Sequence, residues 1–141
     1  MAYDANNIFA RMVRGEIPCI KVYEDADTLA FMDIMPQSAG HTLVIPKVAG
    51  ESLFDSPPAS VAAAIKTTQR VARAIARAMD APGTIVTQFN GAVAGQTVFH
   101  LHFHIVPVYA AGALKAHARE RVDGAVLEAQ AVRIRAALAE D

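Results

Sequence analysis

The sequence predicts an α+β fold, with an antiparallel sheet of about five strands, one long helix, a short N-terminal helix and a C-terminal helix. Two observations support this class. Several short apolar runs are joined by turns, as expected for antiparallel neighbours. One long amphipathic segment separates the earlier strands from the later ones, and such segregation is typical of α+β rather than α/β proteins.

The first half of the chain contains a short helix and three strands. We predict a helix over residues 8–13, because Asn6 or Asn7 can cap it and Gly15 follows its end. Because proline cannot donate in a central strand, we expect the third strand to end at Pro46. The strands are predicted from short apolar or alternating runs bounded by turn residues, over residues 20–24, 28–33 and 42–45.

The long helix has clear start and stop signals. Ser56 is a good N-cap, Pro57 suits the first helical position, and the helix should end before Pro82 and Gly83. The apolar face that we expect to pack on the core consists of residues at helical spacing, namely Val61, Ile65, Thr68, Ala72, Ile75 and Met79.

The last third of the chain completes the sheet. We predict a strand over residues 84–89, a glycine-rich loop over 90–96 and a long strand over 98–109. A C-terminal helix is indicated by Leu127, Ala131, Ile134 and Leu138. The sequence contains no repeat and no long linker, so residues 1–141 are expected to form one domain.

Composition narrows the classes of function. The 141 residues are 53% hydrophobic and carry a formal charge of −1, which gives no electrostatic reason to expect binding to nucleic acid or a membrane. With Cys19 as the sole cysteine, an intramolecular disulfide is impossible. The N-terminus does not resemble a signal peptide, and no apolar run approaches the roughly 20 residues that span a bilayer. We therefore expect a cytoplasmic protein.

Three of the five histidines lie at alternate positions of the last predicted strand. In a strand His100, His102 and His104 share one face, about 6.6–7 Å apart, while the apolar residues between them face the core. Three explanations remain open at this point. The histidines could form a merely polar strand face, ligate zinc with a further partner, or supply a covalent nucleophile.

The loop before the histidines favours phosphate chemistry. Its glycines permit close approach of the backbone, and consecutive N–H groups in such a loop can form a concave site for an anion. Thr97 adds a hydroxyl donor. An anion site beside three imidazoles suits a phosphate ester better than a hydrolytic zinc ion.

Residues 94–107 resemble the signature of the histidine triad (HIT) superfamily, in which three histidines alternate with apolar residues. Upstream similarity occurs at residues 8–9, 15–18, 30–36 and 40–47, so that the resemblance covers about residues 8–109. The tail over 110–141 is unmatched. This resemblance implies a HIT-like fold and binding of a purine nucleotide.

The resemblance also implies catalytic roles. His102 would attack the α-phosphorus and form a nucleotidyl-imidazole intermediate, which water resolves. His104 would contact the phosphate, and His41 would pack beside the triad. His100 would orient its neighbours, with its backbone carbonyl accepting a hydrogen bond from the nucleophile.

The same resemblance implies a set of nucleotide contacts. Asp33 would bind the ribose hydroxyls, and Phe9, Phe31 and Ile34 would surround the base. Donors to the phosphate would come from the loop, with Asn90 a candidate for a further polar contact. The full set is Asp33, Ile34, Phe9, Phe31, Asn90, Gly95, Gln96 and Thr97.

Several positions depart from the family pattern. The Cys-x-x-Cys that completes a structural zinc site in many bacterial members is absent, and we predict no metal and no cofactor. Phe89 stands where relatives commonly have Asn or Gln, and Val108 where they have Arg. The tail lacks the tryptophan that one phosphoramidase branch uses. His117 is assigned no role.

Three functions are compatible with this sequence. The first is a homodimeric hydrolase or transferase that acts on purine nucleoside phosphoramidates or related adenylates. The second is a dinucleoside polyphosphate hydrolase with the same site. The third is a nucleotide-binding protein with little turnover, in which His102→Ala would leave binding unchanged.

Overall fold

A computed structural model describes residues 2–115 and 120–141, and His117 lies outside these described residues. The architecture is one five-stranded antiparallel sheet with helices on both faces, in the strand order β1-β2-β3-β5-β4, which confirms the predicted α+β class. The helices are α1 (Ile8–Val13), α2 (Pro58–Ala78) and α3 (Gly124–Ala139). The strands are β1 (Lys21–Glu24), β2 (Thr28–Met32), β3 (Thr42–Pro46), β4 (Gly83–Thr87) and β5 (Phe103–Val108).

Strand β3 lies at the centre of the sheet, between β2 and β5. Leu43 of β3 pairs with Phe31 on one side and with His104 on the other. Thr87, the last residue of β4, pairs with His104 from the far side of β5. The third histidine is therefore held inside the sheet by two neighbouring strands.

The two faces of the sheet carry different cores. Helices α2 and α3 cover one face, where Val71, Ile75 and Ile134 pack with Ile105 of β5. The short helix α1 covers part of the opposite face, which has a smaller cluster formed by Phe9, Leu29, Phe31, Leu43 and Ile45. Since Leu43 is the partner of His104, the histidine side chain emerges on the thinly covered α1 face.

The start of the long helix differs from the prediction. Helix α2 begins at Pro58, one residue later than expected, and its cap position is Pro57 without a side-chain cap. The hydroxyl of Ser56 donates instead to the carbonyl of Ser52, so Ser56 closes the preceding turn. The predicted core face was also wrong at Ile65, which is 44% exposed.

Strand boundaries differ in ways that matter for the site. Strand β5 begins at Phe103, so His100 and His102 precede it in an irregular segment rather than in one long strand. The N–H of Leu101 donates to the carbonyl of Gly50, outside the sheet. Strand β4 ends at Thr87, so Phe89 lies beyond it. In the described part of the chain, no helix combines the length and hydropathy needed to cross a bilayer.

Candidate active site

The tautomer of His102 follows from its backbone contact. Its Nδ1 lies 2.7 Å from the carbonyl oxygen of His100, which can accept but not donate. Nδ1 therefore carries the proton in the neutral ring, and the lone pair is on Nε2. His102 is 6% exposed and lines a pocket on the α1 face. A neutral imidazole with a lone pair on Nε2 is the form required of a nucleophile.

A second chain of hydrogen bonds sets the tautomer of His104. The backbone N–H of Gln37 donates to Nδ1 of His41 at 3.0 Å, so the proton of neutral His41 is on Nε2. His41 Nε2 lies 3.0 Å from Nδ1 of His104, which must accept. The proton of neutral His104 is consequently on its own Nε2. His104 is thereby a fixed hydrogen-bond donor at a pocket that His102 also lines.

Asp33 lies just beyond the end of β2 and contacts this chain. One carboxylate oxygen accepts from the N–H of Met35 at 2.8 Å, and the other lies 3.4 Å from Nε2 of His41. The side chain is largely buried and also lines the pocket. Asp33 therefore supports the turn that leads to His41 and presents a carboxylate to the pocket.

Asp33, His41 and His104 place their ligand atoms within 4.8 Å of one another, close enough to hold a metal ion. The hydrogen bonds favour another arrangement. A metal-bound histidine almost always donates its other N–H to an acceptor, whereas Nδ1 of His41 faces the N–H of Gln37. Ligation through Nε2 would set two N–H groups against each other. The three residues are therefore better suited to a hydrogen-bond network with defined donors and acceptors than to a metal ion.

His100 lies behind the pocket and is almost completely buried. Its Nε2 donates to the carbonyl of Pro46 at 2.7 Å, and the hydroxyl of Tyr3 donates to its Nδ1 at 2.6 Å. Burial lowers the pKa of His100, so the neutral form is favoured. His100 thus ties the segment that holds His102 to the end of β3.

Sequence reasoning missed the contact with Tyr3. This residue is far from the triad in the chain, and an isolated N-terminal tyrosine gives no signal of such a contact.

The pocket has a volume of about 180 Å³ and is mostly apolar. Phe9 contacts the rings of Phe31 and His102 edge-on, with centroids 5.3 and 5.0 Å apart. Of the predicted nucleotide contacts, Phe9, Phe31, Asp33, Ile34 and Thr97 line the pocket. The lining residues that sequence reasoning did not single out are Ile8, Met12, Met32, Met35, Leu43 and Val98.

The structure corrects the predicted anion site in the glycine-rich loop. The N–H of Gly95 donates to the carbonyl of Ala92, and the N–H groups of Ala94 and Gln96 donate to the carbonyl of Gly91. These donors are used within the turn rather than directed at a ligand. Gly95 adopts φ +112°, a left-handed conformation that favours glycine. Glycine at this position therefore serves the backbone conformation of the turn.

Gln96 and Asn90, both predicted to contact the nucleotide, are not among the residues that line the pocket. The buried amide of Gln96 donates to the carbonyls of Glu51 and Val98 and accepts from the N–H of Gly91. It therefore braces the loop internally.

The side chain of Asn90 is bonded within its own loop and to the turn at Leu53. It exchanges two hydrogen bonds with the side chain of Gln88 and accepts a third from the N–H of Leu53. The residue beside the triad is instead Phe89, whose ring centroid lies 5.5 Å from that of His104.

Known proteins resemble this chain over most of its length. The HIT domain family model matches residues 14–111. The adenylylsulfatase HINT3 of Arabidopsis thaliana is 41% identical over 100 residues, which cover 71% of this chain and 51% of that protein. The adenosine 5′-monophosphoramidase hnt1 of Schizosaccharomyces pombe is 42% identical over 100 residues, covering 71% and 72% of the two chains.

A solved structure is similar over nearly the whole chain. The Hit-like protein involved in cell-cycle regulation from Bartonella henselae, crystallised with an unknown ligand, has a TM-score of 0.93 and 48% identity. The alignment covers 97% of this chain and 99% of that protein, so the likeness extends through the C-terminal tail.

Proposed function

Because the chain belongs to the HIT domain family, we propose that it is a nucleotide hydrolase or transferase acting at the α-phosphate of purine nucleoside phosphoramidates or related adenylates. The observation that carries the proposal is the 2.7 Å contact between His102 Nδ1 and the His100 carbonyl, which directs the Nε2 lone pair to attack. Two relatives are named for cleavage of adenylates, one an adenylylsulfatase and one a monophosphoramidase.

The proposed reaction has two displacements. In the first, His102 Nε2 forms a bond to the α-phosphorus, and the bond from phosphorus to the leaving nitrogen breaks. The nitrogen departs with the bonding pair and takes its proton from solvent. In the second, water attacks the phosphorus and loses a proton to solvent, the bond to Nε2 breaks, and the ring recovers its lone pair. One difficult step becomes two easier ones.

The neighbours of His102 would stabilise the charges that develop on its ring and on the phosphate oxygens during the two displacements. Attack makes the ring of His102 cationic while Nδ1 keeps its proton, and the His100 carbonyl stabilises that proton. His104 Nε2–H and the hydroxyl of Thr97 donate to phosphate oxygens. Such directed donors are worth about 3 kcal/mol each in other enzymes.

The pocket would hold the nucleoside. Its volume of about 180 Å³ is below the roughly 300–1,000 Å³ of sites that enclose a whole drug-sized ligand, which suits a single flat base. Phe9, Phe31 and Ile34 provide the apolar walls. The carboxylate of Asp33 would accept hydrogen bonds from the ribose hydroxyls.

The functional unit in this proposal is a homodimer. Strand β4 is at the edge of the sheet, and its Ile85 and Val86 are 43% and 47% exposed. An exposed apolar edge without lysine or proline favours pairing with another chain. Val86 borders a surface groove that Ile65 and Ala72 of α2 also line. A second copy related by a two-fold axis covers both features.

Turnover of adenosine 5′-phosphoramidate tests the proposal. The wild type should release AMP and ammonia, and His102→Ala should reduce kcat by at least a thousandfold while still binding AMP. His117→Ala is the matched control, because no role is assigned to that histidine. Equal turnover by His102→Ala and the wild type would contradict the proposal. Nucleotide binding by the wild type without turnover would favour a binding protein instead.

A further inference from the structure

The chain segments near the triad, including the one that contains β4, carry no strongly basic side chain. The sequence has no lysine or arginine over residues 48–65 or 78–114. These two segments contain the loop before the triad, the triad itself and the turn at Leu53 that contacts Asn90. Their charged residues are acidic, namely Glu51, Asp55 and Asp80. This side of the site therefore offers no cationic side chain from these segments to a polyphosphate or sulfate.

An aromatic ring occupies the same side. The centroid of Phe89 lies 5.5 Å from that of His104, and the ring packs over Gly95. The amides on either side of it, Gln88 and Asn90, bond to each other and so leave the phenyl ring beside the histidine. Phe89 is partly exposed to solvent.

The sheet order separates this ring from the nucleoside pocket. The pocket is lined by Phe31 and Asp33 near the end of β2 and by Leu43 of β3. Phe89 follows β4, which lies on the opposite side of β5 from β3. A substrate with its base in the pocket and its α-phosphate at His102 and His104 would have its remaining substituent on the β4 side of His104, where Phe89 lies.

We propose that Phe89, together with the segments 48–65 and 78–114 that lack lysine and arginine, forms a leaving-group subsite that selects an amine with an apolar substituent over an anionic leaving group. This inference rests on the proposed function, because it concerns the same α-phosphate. It separates two of the functions that the sequence leaves open, since a dinucleoside polyphosphate loses a highly charged nucleotide. Adenylyl sulfate is disfavoured for the same reason.

The test compares kcat/KM for four substrates that share one adenylyl group. They are adenosine 5′-phosphoramidate, its N-(2-phenylethyl) derivative, adenylyl sulfate and diadenosine tetraphosphate. For the wild type we expect the phenylethyl derivative to be used best and the two anionic substrates at least a hundredfold less well. A wild type that prefers either anionic substrate would overturn the subsite proposal.

Variants at Phe89 assign the preference to this residue. Phe89→Asn should reduce the ratio of kcat/KM for the phenylethyl derivative over the parent phosphoramidate by roughly three- to tenfold. Phe89→Leu keeps an apolar side chain and should preserve more of that ratio, and Phe89→Lys should raise relative use of diadenosine tetraphosphate. Circular dichroism and AMP binding report whether each variant is folded.

Two failures are distinguishable. If the wild type turns over none of the four substrates, the proposed function itself fails. If it turns over the parent phosphoramidate but the ratio is unchanged in folded Phe89→Asn and Phe89→Lys, the subsite proposal alone is overturned.

Discussion

At the scale of single residues, two backbone groups determine how the histidines can act. The carbonyl of His100 places the proton of His102 on Nδ1, and the N–H of Gln37 places the proton of His41 on Nε2. Because backbone groups are either donors or acceptors, these assignments leave no ambiguity in the neutral rings. In the neutral rings, His102 therefore has its lone pair on Nε2, and His104 has an N–H donor on Nε2.

His41 is a positioning residue in this account, and its role is open to a direct test. His41→Ala removes the donor to His104 Nδ1, so His104 no longer has a defined tautomer. The loss of this buried hydrogen bond, about 1–3 kcal/mol, should reduce kcat/KM by roughly 5- to 150-fold. His41→Gln retains an N–H donor and should recover part of the activity.

Recovery by the conservative variant separates this role from a structural one. If the role is positioning, folded His41→Gln should be more active than folded His41→Ala, because only Gln offers an N–H donor to His104 Nδ1. Equal activity of the two folded variants would contradict the positioning role.

His100 should make stability depend on pH. Burial lowers its pKa in the folded chain, so its contribution is present above the unfolded pKa of about 6.5 and is lost as the pH falls below that value. Between pH 7.5 and 5.5 the free energy of unfolding of the wild type should fall by more than that of His100→Gln. Urea unfolding at the two pH values measures this difference, and equal losses would refute the assignment.

At the scale of elements, alternation in sequence identified the histidine face but not the extent of the strand. Leu101 and Phe103 pack against Ala64 of α2, as the pattern predicts. The pairing of β3 with β5 nevertheless begins only at Phe103, where Val44 is its partner. Side-chain alternation reports burial on two faces, and it does not report whether a neighbouring strand is present to pair.

The exposed edge of β4 makes a prediction about assembly. Val86→Lys places a charge on the apolar edge, which should convert the proposed dimer into a monomer at micromolar concentration. Val132→Lys is the matched control, since Val132 is 54% exposed on α3. Sedimentation equilibrium gives the mass of each. A wild type of monomer mass, or a Val86→Lys variant of dimer mass, would contradict the prediction.

At the scale of the whole molecule, the C-terminal helix belongs to the main core. The HIT domain match ends at residue 111, yet Leu127, Ala131 and Ile134 of α3 pack with Val71 and Ile75 of α2. Because the buried residues of both helices share one cluster, we expect α3 to unfold together with the sheet.

Truncation of one α3 side chain tests this cooperativity. Ile134→Ala should lower the free energy of unfolding by about 2–5 kcal/mol in a single transition, whereas Val132→Ala should change it by less than about 0.5 kcal/mol. Far-ultraviolet circular dichroism in urea measures both. A separate early transition for α3 would show that the tail is an appendage.

Much of this architecture was predictable because it depends on local patterns. The number of strands, the helix capped by Asn7 and the Asp33–His41 turn beside the triad were all identified from periodicity or motif. The errors have physical causes. Ile65 was assigned to the core because it is apolar at helical spacing, and periodicity cannot distinguish a buried apolar position from an exposed one.

Long-range contacts account for the remaining differences at the site. Gln96 was predicted to bind nucleotide, and its amide instead reaches the carbonyl of Glu51. Tyr3 was not considered, although its hydroxyl forms a hydrogen bond with His100, which lies 97 residues later in the chain. Neither partner is near in sequence, so no local pattern could reveal it.

The proposed bond between His102 Nε2 and phosphorus can be detected by mass spectrometry of enzyme quenched during turnover. With an adenosine phosphoramidate whose amine departs rapidly, so that formation of the intermediate outpaces its hydrolysis, we expect a peptide containing His102 that is heavier by one adenylyl group, and no such peptide from His102→Ala. An adenylyl group mapped to His104, His41 or any residue other than His102 would contradict the account.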